Sequence, residues 1–136
     1  MMHFLDTSYI LALELQKDQN HQQAQRHWQG LRTNIPDLLT STYVFDEVVT
    51  FFNSRDQHKK AVDVGTSLLM SPKVTLIHIN QELFTQGWAY FSQHKDKRYS
   101  LTDCLSFILM REYQISTALT FDHHFVQAGF TIEPKA

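Results

Sequence analysis

The sequence predicts an α/β fold built around a mostly parallel sheet. Three observations carry that expectation. Short apolar, β-branched runs alternate with longer stretches of helical periodicity. Two of the runs stop at an acid, Asp6 and Asp122, where a helical stretch follows at once, as in a strand-to-helix unit. The chain has only 4 Gly and 3 Pro, with no repeat, low-complexity tract or linker, so its 136 residues are expected to form a single domain over 1–136.

Each element has its own warrant. "MMHFL" before Asp6 reads as a strand, and "TSYILALEL" as a helix capped by Asp6 or Thr7. "NHQQAQRHWQGLR" is a polar helix with one stripe, Ala24, Trp28 and Leu31. "IPDLLTS" holds a turn and a short strand, and "TYVFDEVVTFFNSR" is a strongly apolar helix. "QHKKAVDVGTSLLMS" is a helix stopped by Pro72. "KVTLIHI" alternates and is rich in β-branched residues, hence a strand, and Asn80 is placed to cap the helix "QELFTQGWAYFSQH". After the charged loop "KDKR", the helix "SLTDCLSFILMREY" is apolar almost all round and therefore central. "STALTF" is a strand, "DHHFVQAG" a helical turn and "FTIEP" a last short strand.

Composition excludes several classes. Hydrophobic residues at 43%, with 10 Phe, supply a packed interior and argue against disorder. A net charge of −2 excludes a strongly basic nucleic-acid binder while allowing a local basic patch. The single cysteine, Cys104, cannot form an internal disulfide, which suits a reducing compartment. "MMHFLDTS" lacks the apolar length of a secretory leader, and no run approaches the roughly 20 residues of a membrane span. The expectation is a cytoplasmic protein with no membrane role. No glycine-rich loop follows the first strand, which argues against a dinucleotide or P-loop site.

Ligands of open α/β sheets bind beyond the carboxyl ends of the strands. Asp6 and Asp122 sit at such ends, and Glu47 and Asp103 lie on helices in apolar company. A lone aspartate between strand and helix is ordinarily a cap, worth about 1 kcal/mol. Ser100 with Asp103 has the S-x-x-D form of a capping box. Glu47 resists that explanation. It falls at the margin of the stripe Val44, Val48, Phe51 and Phe52, whereas Asp46 points away from it. A half-buried acid needs a partner, and no matching Lys or Arg is evident. If the four acids converge, their repulsion is relieved by protonation or by a divalent cation. Oxygen-only ligands favour Mg²⁺ or Mn²⁺, and such sites activate water for attack on phosphodiesters.

Four motifs in this order resemble the PIN-domain nucleases, and among them the VapC-type toxins of toxin–antitoxin pairs: "FLDTSYILAL", "TYVFDEVVT", "SLTDCLSFILMRE" and "ALTFDHHF". The resemblance spans essentially the whole chain. It implies a three-layer α/β/α sandwich with a central, mostly parallel sheet. It also implies a Mg²⁺-dependent endoribonuclease, with Mn²⁺ as a substitute, acting on an RNA substrate. An antitoxin that blocks the site and a homodimer are implied as partners. Asp6, Glu47, Asp103 and Asp122 would be both the catalytic and the metal-binding acids, with Asp6 and Asp103 as the principal ligands. Thr7, Ser8 and Thr102 would support carboxylates or water, and Phe125 would anchor the turn beneath Asp122.

Competing readings are a non-catalytic module that grips RNA or a partner, and a metal-dependent nuclease for DNA or structured substrates. A metal-free mechanism through His123 and His124 is disfavoured, because adjacent residues in a helical turn point about 100° apart. One of the two is expected to pack or cap near the turn and the other to be solvated. Zinc lacks a His-x₃-His or Cys pair, and a haloacid-dehalogenase-type phosphatase would need an acid where Ser8 stands. Basic candidates for gripping phosphates are Arg55, Lys59 and Lys60, and the loop residues Lys95, Lys97 and Arg98, the loop being favoured.

Overall fold

A computed structural model describes residues 1–135 of the chain. The strands are β1 (Met2–Leu5), β2 (Asp37–Ser41), β3 (Val74–Ile77), β4 (Thr117–Leu119) and β5 (Thr131–Glu133). The helices are α1 (Thr7–Glu14), α2 (His21–Leu31), α3 (Thr42–Asn53), α4 (His58–Met70), α5 (Gln81–Gln93), α6 (Leu101–Glu112) and α7 (His124–Gln127). They form the α/β/α sandwich expected from the sequence, around one sheet of order β3-β2-β1-β4-β5. Every strand pair is parallel, so the "mostly" of the expectation becomes "entirely" among the described residues.

The order of strands decides where a site can form. The chain moves outward from β1 to β2 and β3, then returns to the other side of β1 for β4 and β5. Successive connections therefore diverge at the β1–β4 pair, which leaves a crevice beyond its carboxyl ends. Register brings Leu5 opposite Leu119, and Asp6 N–H continues the ladder to Leu119 O at 3.1 Å. Asp6 and Thr120 consequently leave the sheet side by side.

Strand length follows from burial. The central β1 is buried at three of its four residues, whereas the edge strand β3 has no fully buried residue. β4 is shorter than the run "STALTF" suggests. Thr120 N–H still bonds Glu133 O at 3.0 Å, but Phe121 N–H turns away to the Ser8 hydroxyl at 2.9 Å.

Asp6, Asn80 and Ser100 cap α1, α5 and α6 through their side chains, as the sequence reading expects, and Ser41 caps α3 in the same way. Helix α6 is the central one, with Cys104, Leu105, Phe107, Leu109 and Met110 all buried. It packs on α5 at Gly87, where an added Cβ would stand 2.4 Å from Leu105 Cδ2, so a larger residue would force the buried Leu105 side chain to shift. Phe125 is fully buried, with its ring 5.0 Å from that of Phe107 and 6.2 Å from that of Phe4. Among the described residues, no helix is long and apolar enough to cross a membrane.

Candidate active site at the carboxyl edge of the sheet

Asp6 lies at the floor of the crevice and is 5% exposed. It caps α1, and its Oδ2 accepts from the Ser8 hydroxyl at 2.9 Å and the Thr120 hydroxyl at 2.8 Å. These hydroxyls also receive backbone donors from the next segment, Phe121 N–H on Ser8 and Asp122 N–H on Thr120, both at 2.9 Å. One small network thus ties the end of β1 to the segment carrying Asp122. Burial pushes the Asp6 carboxyl up to about 6, against the pull of the bonds from Thr120 and Ser8. The charges of Asp103 and Asp122 push it further in the same direction, so these three acids share one electrostatic environment.

Asp103 has both of the roles weighed for it. It completes the capping box, accepting from Ser100 N–H at 3.1 Å while its own N–H donates to Ser100 Oγ at 2.9 Å. It also faces inward, and Oδ2 lies 3.1 Å from His124 Nδ1. Burial raises the Asp103 carboxyl and the Ser100 bond lowers it. The Asp122 charge then raises it, and His124 lowers it by hydrogen bond and charge.

Asp122 accepts from His124 N–H at 2.9 Å, a local turn bond of the kind expected of a cap. Its Oδ1 also lies 3.3 Å from His124 Nδ1. Asp103, Asp122 and His124 therefore offer three ligand atoms within 4.8 Å of one another.

Glu47 is half-buried and Asp46 exposed, as the helical wheel expects. Its partner is the Thr7 hydroxyl, which donates to Oε1 at 2.6 Å. Glu47 reaches the site through the residue after Asp6 and stands outside the Asp103–Asp122–His124 cluster. Thr102 is buried, and its carbonyl accepts from the Ser106 hydroxyl at 2.8 Å. Among the described residues its own hydroxyl bonds none of the four acids.

Sequence reasoning missed two members. Thr120 carries no sequence signal, because it is neutral, sits inside an apolar strand string and meets Asp6 only through the β1–β4 register. His123 is exposed, as expected for one of the pair, but His124 packs against Asp103 and Asp122 rather than standing aside. The Tyr99 ring holds the His124 imidazole edge-on, with centroids 5.4 Å apart at 80°. Of the basic candidates, Lys59 pairs with Asp63 at 2.9 Å, Lys60 with Glu14 at 2.7 Å, and Arg55 lies over the Phe51 ring at 3.7 Å. Lys95 and Arg98 line a cleft with Tyr99, beside the site.

Two buried acids, Asp6 and Asp103, both raised by burial and by the charge of Asp122, form with it a donor set suited to a divalent cation, which would relieve both burial and repulsion. The fold, the parallel order of strands and this cluster of acids at the switch point define a class. The chain belongs to the PIN-domain family, whose model matches residues 3–131. It is 35% identical over 129 residues to the 23S rRNA-specific endonuclease VapC20 of Mycobacterium tuberculosis, covering 95% of each chain. The crystal structure of that protein, described as a sarcin–ricin loop cleaving toxin, superposes with a TM-score of 0.85 over 96% of this chain and 97% of that one, at 33% identity. VapBC2 from Rickettsia felis shares the fold at a TM-score of 0.69 and 13% identity, covering 98% of both chains. FitAcB from Neisseria gonorrhoeae does so at 0.67 and 17% identity, over 97% of this chain and 96% of that one.

Proposed function

We propose that this protein is a divalent-metal-dependent endoribonuclease, the toxin of a toxin–antitoxin pair, with one domain carrying the whole site. The observation that carries the reading is the convergence of buried acids at the β1–β4 switch point. Burial and the charges of Asp103 and Asp122 raise Asp6 there, burial and the Asp122 charge raise Asp103, and Glu47 is tied in through Thr7. The likeness to VapC20, a 23S rRNA-specific endonuclease, makes ribosomal RNA the first substrate to test. An antitoxin that covers the site, a homodimer and a cytoplasmic setting belong to the same proposal.

Asp6, Asp103, Asp122 and Glu47 would hold Mg²⁺, with Mn²⁺ as a substitute. When bound, such an ion supplies activation of water and stabilisation of the leaving oxygen at a phosphodiester. The chain's own part is positioning. Ser8 and Thr120 fix the Asp6 carboxylate, and the capping box with Ser100 fixes Asp103. Thr7 orients Glu47, whose outer position suits it to orient water beside the cluster. Lys95 and Arg98 would meet backbone phosphates, since Lys59 and Lys60 are engaged by acids on the surface.

The test is cleavage of ribosomal RNA and of DNA of matched sequence, with Mg²⁺ and with EDTA. RNA cleavage that stops in EDTA and in Asp103→Asn is expected. Full activity in EDTA would overturn the metal mechanism, DNA cleavage alone would overturn the substrate class, and inert protein on every RNA would favour a binding module.

A further inference from the structure

The acids explain why a cation should bind; His124 bears on which cation. Its Nδ1 stands 3.1 Å from Asp103 Oδ2 and 3.3 Å from Asp122 Oδ1. Donors bound to one ion at about 2.1 Å lie about 3 Å apart when adjacent, so all three atoms can serve a single small ion with little movement. The imidazole is also held from three directions. Its backbone N–H is fixed on Asp122 Oδ1 at 2.9 Å, and its ring meets Tyr99 edge-on. The next residue, Phe125, is fully buried in the aromatic core. A side chain so constrained keeps its nitrogen aimed at the two carboxylates.

We infer that His124 is a direct nitrogen ligand of the metal held by Asp103 and Asp122, and that it tilts the site from Mg²⁺ toward more nitrogen-seeking ions such as Mn²⁺. The inference rests on the metal site proposed above and adds to it. Carboxylate and water oxygens suit Mg²⁺, which takes nitrogen poorly, whereas an imidazole favours ions further along the first transition row. The oxygen-only set expected from the four acids thus becomes a mixed set of oxygen and nitrogen.

The experiment is Mn²⁺ binding to the untagged full chain, read by pulsed electron paramagnetic resonance for coupling to ¹⁴N. Titrations of Mn²⁺ and Mg²⁺ measure affinity in parallel. The wild type should show ¹⁴N coupling, and His124→Ala should lose it. The ratio of Mn²⁺ to Mg²⁺ affinity should contract in that variant by about tenfold. His124→Asp is the second variant. It restores an oxygen donor, so metal should still bind without the nitrogen signal, and this covers any failure of the alanine variant to fold. Wild-type protein that binds Mn²⁺ without ¹⁴N coupling would overturn the inference and leave the acid site standing. Coupling that survives in both variants would assign the nitrogen elsewhere and overturn it equally. Failure of the wild type to bind either ion would overturn both this inference and the site on which it rests.

Discussion

Two concave regions of the molecule differ in what formed them. The cleft between α3 and α4 has a volume of about 390 Å³ and is lined by Phe45, Val49, Ala61, Val62, Gly65 and Leu69 among others. Its one titratable lining side chain is His58, which bonds the Asn53 amide oxygen at 2.8 Å. The crevice at β1 and β4 instead gathers Asp6, Asp103, Asp122 and His124, with Glu47 tied in through Thr7. The apolar cleft is a surface groove beside two helices that pack closely, with Gly65 against Phe45 and Val49. The chemistry arises where the strand order turns back on itself, because only there do the connections diverge. An apolar cleft is therefore a poor guide to the site in this fold.

The contrast can be broken or sharpened by substitution. The largest effect is expected for Asp103→Asn. Asparagine can still accept from Ser100 N–H, so the cap is kept and the charge is lost. RNA cleavage should fall by about 100-fold or more with folding unchanged, measured by initial rates and circular dichroism.

Asp6→Asn should show the cost of the buried charge in metal-free protein. Burial raises the folded-state Asp6 carboxyl from its ordinary value of 3.8 to about 6. The stabilisation from a protonated Asp6 is therefore complete below about pH 4 and is lost as the pH rises through 6. The variant lacks that loss. Its stability advantage over wild type should grow from near zero at pH 4 to about 2–3 kcal/mol at pH 8, by denaturant unfolding in EDTA. An advantage independent of pH would contradict the assignment.

A smaller effect is expected at the outer acid. Glu47→Gln retains an acceptor for Thr7 and removes a charge, so cleavage should fall by about tenfold. In the α3–α4 cleft, Leu69→Ala should leave the cleavage rate within about twofold of wild type, because its side chain is 59% exposed and far in function from the acids. A large loss there would move the functional centre away from the strand ends.

Much of this was legible in the sequence, for identifiable reasons. Helix and strand periods differ, and Asp6, Asn80 and Ser100 mark helix starts in ways that depend only on local backbone chemistry. The end of β4 was not legible. Thr120 and Phe121 continue the apolar strand pattern, and what stops the strand is a bond to Ser8, distant in sequence. Glu47 showed the need for a partner but not its identity, since a hydroxyl on Thr7 answers a half-exposed acid as well as a lysine would. The two adjacent histidines had to point different ways, but only the fold shows that His124 is the inward one. Asp122 gained most from the structure, because its membership depends on tertiary proximity to Asp103.

The central claim is that the crevice acids hold a divalent cation. Anomalous diffraction from a crystal soaked in Mn²⁺ tests it most directly. A peak is expected at bonding distance, about 2.1–2.3 Å, from the Asp103 carboxylate and shared with Asp6 or Asp122. A fully soaked crystal with no peak in the crevice, or with its only peak elsewhere, would contradict it.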